Sequence, residues 1–163
     1  MMKLLLSRDN LLSALKQVER NKGSHGIDGM SVKSLREHIM LNWDDIRSSI
    51  EMGTYQPSPV RRVGIPKPNG GKRLLGIPTV TDRFIQQAIS QILTPVFDPM
   101  FSEHSYGFRP NKRAHDAVRK AKHYMEEGYR WVIDIDLEKF FDKVNHDRLM
   151  STLAKRIQDK ILL

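Results

Sequence analysis

The chain has 163 residues, of which 39% are hydrophobic, so it can bury one sizeable core and has room for little more than one domain. Its 27 lysines and arginines against 19 aspartates and glutamates give a net charge of +8, which favours a polyanionic partner such as nucleic acid. Cysteine is absent, which excludes disulfides and thiolate metal sites and fits a soluble, intracellular protein. The opening MMKLLL predicts neither a signal peptide nor contact with a membrane.

The first third of the chain is predicted to be mainly helical. Ser7 or Asp9 can cap a first helix, which Gly23 ends. Ser31 can cap a second helical region, which restarts at Asn42. The first helix has an apolar stripe that predicts packing against the core, formed by Leu11, Leu12, Leu15 and Val18.

A change of composition between residues 54 and 83 predicts a β-hairpin. The segments RRVGIPK and KRLLGIP flank PNGG, and Asn69-Gly70 suits a turn that needs positive φ. This stretch has a single acid, Asp82, and six basic residues, which are Arg61, Arg62, Lys67, Lys72, Arg73 and Arg83. The hairpin therefore carries the strongest local charge in the chain.

Two further helices are predicted after the hairpin. Thr81 or Asp82 can cap a core helix that ends near Pro95. A loop containing FSEHSYGFRP then leads to a basic helix from about Lys112 to Glu126. The side of this basic helix that we expect to face inward consists of Ala114, Ala117, Val118, Ala121 and Tyr124.

The segment WVIDIDLEKFFDKVNH is predicted to begin as a buried β-strand. Alternation along the strand would put Asp134 and Asp136 on one face and Ile133 and Ile135 on the other. Carboxylates at the end of a buried strand are costly without a cation or donors. This edge is therefore a natural place to hold Mg²⁺ against a phosphoryl group. Asn145 is predicted to cap a final helix.

Four motifs resemble the reverse transcriptases encoded by bacterial group II introns, also called intron maturases. RRVGIPKPNGGKRLLGIPTVTDR and FSEHSYGFRPNKRAHDA are similar to the first two fingers blocks of that family. WVIDIDLEKFFDKVNHD is similar to the block with the first palm aspartate, and GIDGM to the N-terminal extension. The resemblance implies an α+β fold, with mostly helical fingers carrying a basic hairpin over residues 1–128 and the beginning of a right-hand palm over residues 129–163.

The resemblance implies that the intact protein copies RNA into DNA by two-metal nucleotidyl transfer, in the cytoplasm of a bacterium. Its partners would be intron and template RNA, a DNA primer or product and dNTPs, and its metal would be Mg²⁺. Because no Tyr/Phe-x-Asp-Asp motif occurs before Leu163, we interpret the chain as an excerpt that is inactive alone and binds Mg²⁺ weakly or not at all. Apolar faces left open by a partial palm predict self-association, as a homodimer.

The resemblance also separates the two aspartates. The metal-binding aspartate of the family lies five positions before an aromatic residue, and Asp136 with Phe141 has this spacing whereas Asp134 does not. Asp136 is thus predicted to be the catalytic metal ligand, and the carbonyl of Leu137 to assist at the metal and nucleotide. Phe141 is predicted to exclude the ribose 2′-hydroxyl, while Phe140 points into the core. The alternatives are a turn-capping aspartate and two ordinary core phenylalanines.

Lys67 and Arg73, on opposite arms of the hairpin, match the residues with which the family grips the incoming triphosphate; the alternative is a solvated basic edge.

The SYGFRP loop can stack on an unpaired template, or it can equally pin itself to the core. A second hypothesis for the whole chain is an RNA-binding module that assists splicing without chemistry. The predicted contacts to RNA or template are Arg61, Arg62, Lys72, Tyr106, Phe108, Arg109, Lys112 and Arg113.

Overall fold

The computed structural model describes residues 1–163 and divides them into two compact units. Unit 1 comprises Met1–Thr94 with Ile157–Leu163, and unit 2 comprises Pro95–Arg156. Helices together with one two-stranded antiparallel sheet confirm the α+β class. The division into fingers and palm at residues 128 and 129 stays a prediction. None of the helices is long and apolar enough to cross a membrane.

Unit 1 is built from helices and one hairpin. Its elements are α1 (Met2–Leu5), α2 (Arg8–Asn21), a 3₁₀ turn (Val32–Ser34), α3 (Leu35–Glu51), β1 (Arg61–Pro66), β2 (Lys72–Ile77) and α4 (Val80–Phe97), whose last residues belong to unit 2. The predicted restart at Asn42 is wrong, because α3 is one continuous helix. The Asn42 side-chain amide donates to the carbonyl oxygen of His38, one turn back, at 2.8 Å and leaves the helix unbroken.

The core of unit 1 lies where α2, α3 and α4 meet. Trp43 meets Phe84 edge to face, with ring centroids 6.3 Å apart. The first turn of α4 is capped by Thr79, whose Oγ1 accepts from the backbone N–H of Asp82 at 3.1 Å, so the caps predicted at Thr81 or Asp82 are wrong. The buried apolar residues that form this cluster are Leu5, Ala14, Leu15, Val18, Leu35, Ile50, Val80, Phe84, Ile85 and Ala88.

The predicted β-hairpin is confirmed. The register pairs Arg61 with Ile77 and Ile65 with Arg73. Beyond the strands, the N–H of Lys67 donates to the oxygen of Gly71 at 3.1 Å, and the N–H of Gly70 donates to the oxygen of Lys67 at 3.1 Å. Gly70 and Gly71 have φ of 84° and 79°, values that residues with a Cβ rarely adopt. The Asn-Gly signal therefore located the turn correctly.

Unit 2 has helices but no buried residue between 95 and 156. Its elements are a 3₁₀ turn (Asp98–Met100), α5 (Ala114–Glu126), α6 (Phe140–Lys143) and α7 (His146–Ala154). The predicted inward face of α5 is wrong, since Val118 is 67% exposed and no other element covers that face within the unit. The predicted cap of α7 is confirmed, because Asn145 Oδ1 accepts from the backbone N–H of Arg148 at 2.9 Å.

The predicted buried strand over WVIDIDL is wrong. These residues have no regular secondary structure, and Ile133 and Ile135 are 85% and 81% exposed. A strand must pair its backbone N–H and C=O groups with a neighbour, and the only ladder in the chain joins β1 to β2. Phe140, expected in a core, is also exposed at 49% and packs edge to face on Phe141.

Candidate nucleotide and nucleic-acid sites

Two cations lie next to the turn of the hairpin, Lys67 after β1 and Arg73 in β2. Arg73 lies in β2 opposite Ile65, and Lys67 follows the last residue of β1, where its N–H donates to the oxygen of Gly71 at 3.1 Å. Both side chains are exposed, and neither makes a hydrogen bond or an ion pair within the chain. The predicted pair therefore lies near the turn with its donors available for an anion.

The other hairpin arginines and lysine separate into two kinds. Arg61 is hydrogen-bonded within the chain, because its Nε donates to the carbonyl oxygen of His25 at 3.0 Å and its Nη2 to Ser24 Oγ at 2.6 Å. Arg62 and Lys72 lie on the face opposite to Arg73 and are exposed. Of these three predicted template contacts, Arg61 therefore braces the hairpin, while the other two are available to a phosphate backbone.

The base of the hairpin is held by one buried carboxylate, which the sequence pattern indicated only as a helix cap. Asp82 is 2% exposed, and its Oδ1 accepts from the Tyr55 hydroxyl at 2.6 Å. Its Oδ2 accepts from the N–H of Ser58 at 3.2 Å and from the Thr79 hydroxyl at 2.6 Å. Burial, and then the bond to Asp82, raises the pKa of Tyr55 well above its usual 10. The signal in the sequence was an acid isolated within a basic stretch.

The loop that contains GIDGM braces the other side of this base. A Cβ on Gly26 would lie 2.5 Å from Thr79 Cα and 2.7 Å from its nitrogen, so only glycine allows this approach. Arg83 Nη2 donates to the carbonyl oxygen of Ser24 at 2.8 Å. Burial lowers the pKa of the Arg83 guanidinium, and Asp28 opposes this shift. The loop and the foot of the hairpin therefore form one support.

Arg109 in unit 2 holds its own loop. Its Nε donates to Asp98 Oδ1 at 2.8 Å, and Nη1 donates to the carbonyl oxygens of Ser102 and Ser105 at 2.6 and 3.2 Å. The guanidinium also lies 5.6 Å from the ring centroid of Phe101. The bond to Arg109 lowers the pKa of Asp98. For Arg109, this geometry favours the alternative in which SYGFRP pins itself in place.

Phe108 is presented outward by that pinned loop. Its ring is fully exposed, and its backbone has a φ of 56°, which costs a non-glycine residue about 1 kcal/mol. Tyr106 instead faces Lys112, with Nζ 5.1 Å from the ring centroid, and Lys112 donates to the oxygen of Glu103 at 2.9 Å. Arg113 precedes α5 with its side chain exposed. Of the two aromatic residues, Phe108 is the one placed to stack on a base.

The segment from Trp131 to His146, called the aspartate segment, contributes Asp136 and Phe141 to the candidate site. Asp136 is exposed, and its Oδ1 accepts from the N–H of Leu137 at 2.9 Å. Phe141 is 87% exposed, with its ring centroid 5.4 Å from that of Phe140. No group of three His, Cys, Asp or Glu residues in the chain could hold a metal ion. These residues therefore fit one ligand position of a magnesium ion and do not form a complete site.

Comparison with known proteins identifies the family. Residues 65–162 match the family described as reverse transcriptase (RNA-dependent DNA polymerase). The chain belongs to this family. Its match to the reverse transcriptase family includes Arg73, Asp136 and Phe141, and it begins inside β1.

The resemblance to group II intron proteins is confirmed by relatives of this reverse transcriptase chain. Protein YkfC of Escherichia coli K12 is 37% identical over 98% of the chain and 43% of its own length. Group II intron-encoded protein LtrA of Lactococcus lactis is 36% identical over 95% of the chain and 26% of its length. Nuclear intron maturase 1, mitochondrial, of Arabidopsis thaliana is 28% identical over 82% of the chain and 20% of its length. The chain therefore spans less than half of each of these relatives.

A solved structure shares the fold of the chain. The Cas6-RT-Cas1--Cas2 complex matches 99% of the chain and 16% of that larger chain, with a TM-score of 0.52 and 20% identity. At this identity the similarity supports the fold alone. It agrees with the α+β class.

Proposed function

We propose that the intact protein is the RNA-directed DNA polymerase of a group II intron, with RNA as template, DNA as primer and product, and dNTPs as substrates. The observation that carries the proposal is that the reverse transcriptase match includes both the hairpin turn with Lys67 and Arg73 and the Asp136–Phe141 segment. The net charge of +8 supports a nucleic-acid partner as well.

In this reaction the 3′-oxygen of the primer attacks the α-phosphorus of a dNTP. A new P–O bond forms, the bond between the α-phosphorus and the bridging oxygen breaks, pyrophosphate leaves, and the hydroxyl proton passes to solvent. Lys67 and Arg73 would hold the triphosphate, Arg73 with its planar fork and Lys67 as a mobile point charge. Their lack of partners within the chain supports this role, because no existing ion pair has to break first.

Asp136 would supply the first carboxylate of the magnesium site, and the carbonyl of Leu137 would supply a further oxygen. Bound there, Mg²⁺ would favour ionisation of the primer hydroxyl and neutralise triphosphate charge. With one carboxylate in place, the 163-residue chain by itself would bind Mg²⁺ weakly and be inactive.

The test is primer extension by the intact protein on an RNA template with dNTPs and Mg²⁺. Asp136→Asn should lower kcat by about 10³-fold or more, as expected for loss of a group that acts on the reacting atoms. Asp134→Asn is the matched control, two residues away, and should retain activity within about tenfold. Wild-type rates in Asp136→Asn would overturn the assignment.

Phe141 would exclude ribonucleotides by placing its ring under the sugar, where a 2′-hydroxyl does not fit. Its exposed ring, which leaves one face uncovered beside Phe140, supports this role. Phe141→Ala should lower the preference for dNTP over rNTP about tenfold or more, whereas Phe140→Ala should leave it unchanged. Equal discrimination in wild type and Phe141→Ala would remove the role.

Template contact is proposed for Phe108, Arg62 and Lys72. Phe108→Ala should weaken binding to single-stranded RNA by about tenfold, since stacking on a base contributes about 1–3 kcal/mol. Replacing Arg62 or Lys72 by Gln should instead flatten the dependence of affinity on salt, by about one unit of slope for each phosphate that the variant no longer neutralises. Binding that ignores salt would contradict these contacts.

An RNA-binding role in splicing is the second candidate, and the relative named as an intron maturase favours it. The variant Asp136→Asn distinguishes the two functions, because it should abolish DNA synthesis and leave RNA binding and splicing assistance intact. Loss of splicing together with synthesis would argue against an independent binding function.

Self-association is proposed for the 163-residue chain through the apolar surface of unit 2. Trp131, Ile133 and Ile135 are all more than 80% exposed, and their segment has no ladder partner, which makes it available to a second copy. Gel filtration at rising concentration should show a dimer in wild type and a monomer in Ile133→Lys. A monomer for wild type at high concentration would refute the proposal.

A further inference from the structure

We propose that Tyr55 and Asp82 are a positioning pair that sets the angle of the hairpin on the helices of unit 1, and thereby the affinity of the intact enzyme for the incoming nucleotide. The nucleotide part of this inference rests on the proposed polymerase function. The part that concerns the angle of the hairpin does not depend on that function and applies to the 163-residue chain alone.

Both arms of the hairpin converge on the same carboxylate. Tyr55 and Ser58 precede β1, Thr79 follows β2, and all three donate to Asp82 at 2.6 to 3.2 Å. The two feet of the hairpin are thus joined through one buried group at the start of α4. A change at this carboxylate shifts both arms together.

The rest of the hairpin has little else to orient it. Residues 66–74 are all exposed, and a two-stranded hairpin is marginally stable on its own. The second support is at the same end of the hairpin, where Arg61 contacts Ser24 and His25. The direction in which the hairpin points is therefore decided at its base.

The distance from the base of the hairpin to Arg73 amplifies small rotations of the hairpin. Arg73 is five residues from Pro78, which at about 3.4 Å per residue makes a lever of about 17 Å. A rotation of about 5° at the base would then move Arg73 by about 1.5 Å, more than the range of about 0.5 Å over which N–H···O distances vary in hydrogen bonds. The position of the nucleotide contact is consequently sensitive to a single bond near Asp82.

Removal of the Tyr55 hydroxyl tests this positioning role while the rest of the support stays in place. Tyr55→Phe removes one donor and leaves Asp82 with its bonds from Ser58 and Thr79. Because the pKa of Tyr55 is raised, its hydroxyl donates throughout the neutral range, and the effect should not depend on pH there. Tyr129→Phe is a matched control, since the Tyr129 hydroxyl makes no hydrogen bond within the chain and its side chain is 67% exposed.

The first measurement is the spread of hairpin angles in the 163-residue chain. The chain lacks cysteine, so spin labels can be placed specifically at Asn69→Cys in the turn and Lys16→Cys on α2. The distance distribution between the labels should broaden or shift by several ångströms in Tyr55→Phe and stay unchanged in Tyr129→Phe. An unchanged distribution in Tyr55→Phe overturns the inference.

The second measurement is steady-state kinetics of the intact protein. Tyr55→Phe should raise KM for dNTP about tenfold while kcat at saturation changes less than twofold, because the pair orients the binding cations and does not touch the reacting atoms. A merely structural role would lower the melting temperature and leave KM unchanged, and that result overturns the inference. If the labels move but wild type does not polymerise, the positioning of the hairpin stands and the polymerase function fails.

Discussion

The two units are held in their conformations by different forces. Unit 1 buries ten apolar side chains in one cluster, whereas no residue of unit 2 is buried. In unit 2 the local structure depends on polar contacts, such as Arg109 on Asp98 and the Asn145 cap of α7. The hydrophobic effect therefore fixes the base on which the hairpin stands, while the aspartate segment is held by few contacts.

The same difference separates the proposed nucleotide contacts. Lys67 and Arg73 stand on a hairpin whose base is braced by Asp82 and Gly26. Asp136 lies on an exposed segment without a ladder partner. The cations are therefore preorganised to a degree that the carboxylate is not.

The largest expected effect is a difference in the free energy of unfolding between two variants, each of which removes a phenylalanine from one of the units. Phe84→Ala should destabilise the chain by about 4 kcal/mol, because Phe84 is 1% exposed and its removal leaves a cavity. Phe140→Ala should cost about 0.5 kcal/mol or less, as for other exposed positions. Urea unfolding curves measure both. Similar losses for the two variants would break the contrast between the units.

A pair of glycines provides the next test. Gly26→Ala should cost about 2 kcal/mol, because its Cβ would press on the backbone of Pro78 and Thr79. Gly107→Ala in unit 2 meets nothing within 4 Å and should be neutral or slightly stabilising. Thermal unfolding of the two variants beside wild type gives the comparison. A tolerated Gly26→Ala would mean that the loop does not brace the hairpin.

The smallest effect is the response of unit 2 to acid. The bond from Arg109 lowers the pKa of Asp98 below its usual 3.8, so the pair stabilises the loop above about pH 4 and loses this contribution as pH falls through the lowered pKa. The NMR signal of the Arg109 Nε–H should shift over this range, and the shift should be absent in Asp98→Asn. A signal that is constant down to pH 2 in wild type would contradict the pairing.

The sequence predicted those elements whose partners are close in the chain. The hairpin was found because β1 pairs with β2 across a turn marked by Asn69-Gly70. The strand over WVIDIDL failed because alternation describes which face a side chain takes and says nothing about a ladder partner. The inward face of α5 failed for a related reason, since an apolar stripe does not ensure that another element covers it.

The candidate site was predicted in part. The sequence motifs located Lys67, Arg73 and the aspartate segment, and in the structure both cations are exposed near the hairpin turn. The support beneath them was not foreseen. Tyr55 and Gly26 lie 27 and 53 residues from the groups they contact, Asp82 and Thr79, and no local pattern links residues at such separations.

The glycine contact under the hairpin bears on how this module could be moved between proteins. The reverse transcriptase match begins at residue 65, within β1, but the parts that hold the hairpin begin near Lys22. A chimera that exchanged only the matched segment would transfer both cations that we propose to hold the nucleotide, and would leave Gly26, Tyr55 and Arg61 behind. Any transplantable piece of this structure therefore has to start at least some forty residues before the family match does.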